Sequence, residues 1–230
     1  MKKLLIVVLL MFASAAWAGD FEDGAAAFEN KNYPVALAKF RLVAAQGGAS
    51  AQLNLGMMFL DGLGVAQDYV EAVRWFKLAA AQGNASAQVY LGSRFSDGLG
   101  VVQDYVEAVR WYKLAAEQGD ADAQFYLGNM FDYGQGVAQD YVEAVRWYKL
   151  AAEQGRAIAQ LNLGVMFSNG QGVAQDFTRA HMWYNLAAVS GDKDAVKNRD
   201  LTAARMTPKQ IAQAQQLARE CTARNFKNCD

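Results

Sequence analysis

The sequence predicts an all-α fold made of tandem helix-turn-helix units, and two observations carry this prediction. The first is internal duplication: residues 49–84, 85–120, 121–156 and 157–192 align without gaps, and the second block matches both the first and the third at 27 of 36 positions. The second is composition, because alanine is abundant and the 230 residues include only 2 prolines, which favours helices over strands. Duplication at a fixed period indicates an array in which each unit packs mainly against its neighbours.

Residues 1–18, which precede the array, have the pattern of a secretory signal peptide. Lys2 and Lys3 form a short basic region, an apolar run covers residues 4–12, and Ala16 and Ala18 supply an A-x-A site. We expect cleavage between Ala18 and Gly19, which places the protein in the periplasm or outside the cell. The apolar run is shorter than the ~20 residues of a membrane-spanning helix, so it is not expected to be a membrane anchor. No later segment is apolar enough to span, so no membrane span is expected after cleavage.

The block at residues 85–120 shows how each unit is expected to fold. A first helix should run from Ala85 to about Ser96, followed by a turn whose two glycines adopt backbone conformations that side chains would strain. Asp104 and Glu107 have the spacing of a capping box. They predict a second helix at residues 105–118, which Gly119 ends. The same signals recur at Asp68, Glu71 and Gly83 and at Asp140, Glu143 and Gly155.

These residues match the pattern of a known family. The consensus A-x-A-Q-x-x-L-G-x-x-[F/Y]-x-x-G-x-G-V-x-Q-D-Y-x-x-A-x-x-W-[F/Y]-x-x-A-A-x-Q-G resembles the Sel-1-like repeat, a relative of the tetratricopeptide repeat. The resemblance covers all four blocks, from Ala49 to Asp192. It implies a right-handed superhelical solenoid, a role in protein–protein interaction and no cofactor.

The segments on either side of the array are expected to cap it. Residues 19–48 are similar to a divergent tetratricopeptide-like repeat that lacks the G-x-G turn. Residues 193–230 should form two capping helices, one ending near Arg205 and one running from Pro208 to about Cys221. Thr207 and Gln210 have the spacing of a further capping box. Such end helices need a polar outer face because nothing stacks on them.

Comparison of the four first helices divides each of them into two arcs. At about 100° per residue, the positions that are identical in all blocks fall on one arc; in the first block they are Ala51, Gln52, Leu55, Gly56 and Phe59. We interpret this arc as the packing face. A glycine inside a helix costs about 1 kcal/mol relative to alanine, so Gly56 and its counterparts indicate a close helix approach.

The changing arc carries the candidate binding residues. One column holds Asn54, Tyr90, Tyr126 and Asn162, and a second holds Met58, Arg94, Met130 and Met166. In related solenoids the first helices line the concave face, so the resemblance implies that these columns face a groove. Because Tyr, Met and Arg are enriched at interfaces, we predict partner binding at Asn54, Tyr90, Arg94, Tyr126 and Asn162. Packing of some of these tyrosines and methionines between neighbouring repeats is the alternative.

No pattern of an enzyme or metal site stands out. The chain has one histidine and two cysteines, so a metal site built from His and Cys ligands is not expected. His181 replaces the valine of the other blocks within a helix, and we interpret it as a partly buried polar residue. The 22 basic and 23 acidic side chains leave no basic excess for binding nucleic acid.

Cys221 and Cys229 lie eight positions apart near the C-terminus. Export into an oxidising compartment favours a disulfide between them, which would stabilise the protein by about 2–3 kcal/mol through loop closure. Two free thiols are the alternative. A redox motif is not expected, because the chain contains no C-x-x-C sequence.

These features favour an exported scaffold that binds a segment of another protein in the concave groove. A monomer is expected, with no nucleic-acid partner, cofactor or metal. Two alternatives remain. Some cysteine-rich members of the resembled family bind or hydrolyse β-lactams, but they carry a cysteine pair in each repeat, and this chain has none there. A secreted effector that contacts host proteins would carry the same export signal.

Overall fold

The computed structural model describes residues 19–229, and every regular element in that range is a helix. The predicted all-α fold class is confirmed. The predicted signal peptide at residues 1–18 lies outside the described residues. The described residues divide into two compact units, of which the first ends at Asp104 and the second begins at Tyr105.

Successive helices form the repeated helix-turn-helix units. In the first unit, helical residues 19–29 are α1, followed by α2 (Tyr33–Ala45), α3 (Ala49–Asp61), α4 (Tyr69–Ala81) and α5 (Ala85–Asp97). The second unit contains α6 (Tyr105–Glu117), α7 (Ala121–Tyr133), α8 (Tyr141–Ala152), α9 (Ala157–Asn169), α10 (Phe177–Ala188), α11 (Lys193–Ala203) and α12 (Pro208–Ala223). Helices of one repeat pack together, as α3 does on α4, and α4 packs in turn on α5 of the next repeat.

The predicted N-caps form at Asp68 and Asp140, but the capping boxes that begin there are only half complete. Oδ1 of Asp68 accepts hydrogen bonds from the backbone N–H groups of Val70 and Glu71 at 2.9 and 3.0 Å. Glu71 does not return a bond to the cap; it accepts one from Nε of Arg74 at 3.1 Å. A charge-assisted bond three residues along the helix is the stronger choice for that carboxylate. The box at Thr207 and Gln210 is complete.

The turn within each repeat requires glycine at two positions. Gly98 ends α5 in the left-handed conformation, with φ of 70°. Gly100 has φ of 80°, and a Cβ there would overlap the carbonyl group of Tyr69, the first residue of α4. The turn therefore rests on the start of the preceding second helix. In the second unit, Gly136 meets Tyr105 and Gly172 meets Tyr141 in the same way.

In the repeats that begin at Ala49, Ala121 and Ala157, a glycine of the first helix lies against an aromatic ring of the second helix. A Cβ on Gly128 would lie 2.6 Å from Cδ1 of Tyr148. The other pairs are Gly56 with Phe76 and Gly164 with Tyr184. All three rings are buried. The close helix approach that the sequence predicted is confirmed, and the ring fills the space that a side chain would need.

A buried glutamine joins each repeat to the one before it. Nε2 of Gln124 donates to the carbonyl oxygen of Ala116, eight residues earlier, at 3.3 Å. Its Oε1 accepts from Nε2 of Gln154 at 2.9 Å. Gln52 makes the same two kinds of bond, to Ala44 and from Gln82. An unpaired buried amide would be costly, so these bonds restrict how one repeat can slide on the next.

The C-terminal segment folds back onto the core of the second unit. Cys221 and Cys229 are both buried and lie at disulfide distance, with their Cα atoms 4.9 Å apart. Phe226, in the loop between them, packs against Gly155 and the hydrophobic cluster beneath α12. The segment after α12 therefore covers part of the core.

We predict that Gly128→Ala lowers the free energy of unfolding by about 1–3 kcal/mol, because overpacking a close contact costs this much. The Tyr148 ring cannot move aside easily, since it is buried and its hydroxyl donates to Asn129. Urea unfolding followed by circular dichroism measures the change. Gly19→Ala is the matched control, because nothing lies within 4 Å of the added Cβ. Equal losses in the two variants would contradict the assigned contact.

Candidate partner-binding surface

The five predicted binding residues are distributed over both units, and all are partly buried. Asn54 lies on α3, and Tyr90 and Arg94 lie on α5 of the first unit. Tyr126 lies on α7 and Asn162 on α9 of the second unit. What each residue offers to a partner therefore depends on the neighbours that hold it within its own unit.

The two tyrosines are stacked on aromatic rings of the preceding repeat. The ring of Tyr90 stacks on Phe76, with centroids 5.1 Å apart and an interplanar angle of 9°. Tyr126 stacks on Tyr112 at 5.0 Å and 21°. One face of each ring therefore belongs to the packing between repeats, which is the alternative that the sequence left open. Truncation of either side chain would affect stability as well as any binding.

The column that contains Arg94 consists mostly of core residues. Met58, Met130 and Met166 are buried, so the expectation that they face a groove is wrong. The Arg94 side chain is only 12% exposed. Its Nη2 donates to Ser93 at 3.1 Å and to Asp97 at 3.3 Å, while Nε is buried without a hydrogen-bond partner. Its methylene groups occupy the place of a methionine, as long charged side chains often do.

A polar cluster in the second unit, between two first helices and one second helix, was not among the predicted residues, apart from Asn162. It consists of Asn129, Asp132, Tyr148 and Asn162, and we call it the Asn129 cluster. The Tyr148 hydroxyl donates to Oδ1 of Asn129 at 2.6 Å and lies 3.1 Å from Oδ2 of Asp132. Nδ2 of Asn162 donates to the same Asn129 oxygen at 3.4 Å. The cluster joins α7, α8 and α9.

Burial determines the protonation of the Asn129 cluster. It raises the pKa of the Asp132 carboxyl, although the hydrogen bond from Tyr148 acts in the opposite direction. Burial, together with the charge of Asp132, raises the pKa of the Tyr148 hydroxyl. The tyrosine therefore stays a neutral donor under physiological conditions.

In the next repeat, the residues that correspond to the Asn129 cluster line a cavity. This cavity has a volume of about 250 Å³ and lies between α9, α10 and α11. Val165, Ser168, Tyr184 and Asn198, which are among its lining residues, follow the four members of the Asn129 cluster by 36 positions each. Burial raises the pKa of Tyr184 to about 12. The column of Asn54, Tyr90, Tyr126 and Asn162 thus continues to Asn198.

Sequence comparison contained a signal for this surface. Asn129 and Asp132 occupy positions at which the four first helices differ, and the repeat at 121–156 has a carboxamide and a carboxylate where the first has Met57 and Leu60. The pattern did not reveal that Tyr148 would reach both side chains, because that contact depends on how α8 packs on α7.

His181 lies on α10, and its side chain is buried in the protein core with 3% exposure. Its Nδ1 has no hydrogen-bond partner. Burial and the positive charge of Arg199 lower the pKa of His181, and Asp200 acts in the opposite direction. The side chain is therefore neutral at pH 7 and is held as a core residue, which agrees with its interpretation from the sequence.

Neither a metal-binding cluster nor a membrane-spanning helix is present among residues 19–229. No group of three or more His, Cys, Asp and Glu side chains in this range could hold a metal ion. No helix within the same range is long and apolar enough to cross a membrane.

Comparison with protein families gives four matches along the chain. A family model described as the Sel1 repeat matches residues 49–84, 85–120, 121–155 and 157–192, which together exceed half of the chain. A comparison with curated proteins found no match.

Solved structures are also similar to this chain. A Sel1 repeat protein from Oxalobacter formigenes is 36% identical over 76% of this chain and 72% of its own, with a TM-score of 0.72. The protein c5321, described as a protective antigen of uropathogenic Escherichia coli strains with an SLR fold, is 28% identical over 93% of this chain, with a TM-score of 0.58. This chain spans 54% of the c5321 chain. A sel1 repeat protein from Klebsiella pneumoniae, 22% identical over 81% of this chain and 93% of its own, has a TM-score of 0.53 and shows the fold alone.

We expect Tyr148→Phe to lower the free energy of unfolding by about 1–2 kcal/mol, because the Asn129 cluster loses a buried hydrogen bond. The ring should still fit against Gly128, since Phe76 occupies the same position in the first repeat. Chemical denaturation measures the loss. The control is Tyr133→Phe, which removes a phenol that is 68% exposed. If the free energy of unfolding falls by the same small amount in both variants, the cluster does not contribute to stability.

His181 should make stability depend on pH below neutrality. Its pKa in the folded protein is lowered from 6.5, so the unfolded state binds more protons as the pH falls below that value. The free energy of unfolding should then fall between about pH 7 and pH 5. His181→Val, which restores the residue of the other repeats, should flatten this part of the profile. Unfolding midpoints across that range test this, and parallel profiles for the two proteins would contradict it.

Proposed function

The chain belongs to the Sel1 repeat family, and on that premise we propose that it is an exported scaffold that binds a segment of a partner protein on the first helices of its repeats. Sel1 repeat proteins are generally protein–protein interaction scaffolds and are typically not enzymes. Among the first three repeats, most differences fall in the first helix. Recognition through this surface would therefore differ from one repeat to the next.

The observation that carries the proposal is the polar surface on α7, α9 and α11. The Asn129 cluster holds carboxamide, hydroxyl and carboxylate groups. One repeat later, the cavity beside Asn198 holds carboxamide and hydroxyl groups. A carboxamide both donates and accepts hydrogen bonds, which suits it to an extended peptide backbone. The groups are already held in place by one another, so ordering them on binding costs little entropy.

In the first unit we propose contacts through Asn54, Tyr90 and Arg94. Tyr90 is held by its stack on Phe76, so its other face is ready for a partner without loss of rotamer freedom. Arg94 adds one partly accessible positive charge. In the second unit, Tyr126 and Asn162 have the corresponding roles.

Export is the second part of the proposal. Residues 1–18 have the pattern of a signal peptide, with cleavage after Ala18. The proximity of Cys221 and Cys229 suits an oxidising compartment such as the periplasm or the extracellular medium. The β-lactam alternative gains no support, because the two cysteines of the chain lie outside the repeats.

Site-specific photo-crosslinking in cells that express the full chain tests the proposed surface. The photoreactive residue p-benzoylphenylalanine replaces Tyr126, whose ring it resembles. In the control it replaces Leu150, an exposed residue of the second helix α8. We expect a discrete protein adduct from position 126, in the periplasmic or secreted fraction, and none from position 150. Adducts from position 150 alone would exclude the first-helix surface.

Once the partner segment is known, Asn162→Ala should weaken its binding by about 1–2 kcal/mol, the loss expected for one hydrogen bond at a partly buried site. Asn185→Ala on α10 is the matched control. Calorimetric titration of the segment into both variants measures the effect. Equal affinities would remove Asn162 from the proposed surface.

A further inference from the structure

A second cavity of about 420 Å³ lies in the second unit and shares no residue with the Asn129 cluster. It is lined by Val145 and Lys149 of α8, Leu163 and Phe167 of α9, the loop at residues 173–176 and Arg179 of α10. We call it the Phe167 cavity. Its volume falls within the range of about 300–1,000 Å³ that is usual for ligand sites.

The floor of the Phe167 cavity is apolar and its edge is charged. Leu163 and Phe167 are buried, and Val145 and Val173 are partly buried. The guanidinium group of Arg179 lies 5.6 Å from the centroid of the Phe167 ring, a cation–π distance. Lys149 and Arg179 bring two positive charges to the lining, and Asp176 brings one negative charge.

The preceding repeat provides an internal comparison for this site. Eight of the nine lining residues are identical to the residues 36 positions earlier, and the ninth is Arg179, where the earlier repeat has Glu143. Glu71 and Glu107 occupy the same position in the other two repeats. The lining of the Phe167 cavity therefore differs from the corresponding residues at 109–143 by one reversed charge.

The reversal is locally unfavourable for α10. Asp176 is the N-cap and Arg179 lies in the first turn, where a positive side chain opposes the helix dipole and a glutamate complements it. In the preceding repeat, Glu143 also accepts a hydrogen bond from Nη2 of Arg146 at 2.9 Å, whereas the residue at position 182 is a buried methionine.

Arg179 is only weakly paired within the protein. Its Nε lies 3.8 Å from Oδ2 of Asp176, and its side chain is 45% exposed. The other three repeats have a glutamate at the position of Arg179, so the last repeat has the opposite charge there. Residues that are unfavourable for the local structure are typical of functional sites. Arg179 is therefore placed to meet a negative charge from outside the protein.

We propose that the Phe167 cavity binds an acidic segment of a partner protein that carries one large apolar side chain. The apolar side chain enters the cavity above Leu163 and Phe167, and a neighbouring carboxylate pairs with Arg179. Arg179 is the residue that determines specificity, because the corresponding position of the preceding repeat holds Glu143, which repels the same segment. This site functions independently of the first-helix surface.

The test uses the purified protein and three pentapeptides, acetylated and amidated at their ends. The first has the sequence Ser-Glu-Phe-Glu-Ser. The second has glutamine in place of both glutamates, and the third has serine in place of phenylalanine. Titrations followed by two-dimensional NMR report both the affinity and the amides that shift. We expect the first peptide to shift amides around residues 173–179. Each control peptide should bind at least about fivefold more weakly, as expected for loss of one exposed ion pair or one buried ring.

Arg179→Glu should reduce the affinity for the acidic peptide at least about tenfold, because attraction becomes repulsion. This variant restores the residue of the other repeats, so its thermal midpoint should equal or exceed that of the wild type. Glu143→Arg combined with Arg146→Met transfers the pattern of the last repeat and should create a second site.

Four results would overturn the proposal. Three of them are equal binding of the glutamine peptide, unchanged affinity in Arg179→Glu, and absence of binding by the acidic peptide. The fourth is a set of shifts around Asn129, Asn162 and Asn198 with none at residues 173–179, which would assign the peptide to the first-helix surface.

Discussion

Each repeat depends on one contact, in which an aromatic ring of the second helix packs against a glycine within the first helix. Gly128 lets the Tyr148 ring approach α7 closely, and Gly56 and Gly164 do the same for Phe76 and Tyr184. No larger residue fits, because the ring occupies the space of the Cβ. The interior glycine costs about 1 kcal/mol of helix propensity, and the buried ring more than offsets this loss through the apolar area that it removes from water.

The same ring connects the packing of one repeat to the surface of the next. One side of Phe76 meets Gly56, and the ring also stacks on Tyr90 of the following repeat. Tyr148 meets Gly128 and directs its hydroxyl to Asn129 and Asp132. Residues that give the first helices their polar character are therefore anchored by the core. A partner that binds them would meet side chains that are already ordered, which favours affinity.

The last repeat keeps the contacts that pair its two helices and differs from the other repeats at the surface and at two buried positions. It keeps Gly164, Tyr184 and the buried Gln160, so the contacts that define a repeat persist. It replaces the Glu–Arg pair on the second helix by Arg179 and Met182, and it places His181 in the core. These exchanges alter charge and pH response in a scaffold of unchanged geometry, which is how duplicated units acquire different binding properties.

The sequence by itself determined the all-α class, the period and the helix ends to within one or two residues, because glycine, capping and duplication are local signals. It also identified the column of Asn54, Tyr90, Tyr126 and Asn162 as variable. Only the tertiary structure decided which variable residues stay accessible. The variable column of Arg94 also contains Met58, Met130 and Met166, and these three methionines lie in the core. The Tyr148 hydroxyl donates a hydrogen bond to Asn129, which lies 19 positions earlier in the sequence. Burial and such contacts depend on what a neighbouring helix places against each side chain, and the pattern of a single helix does not contain that information.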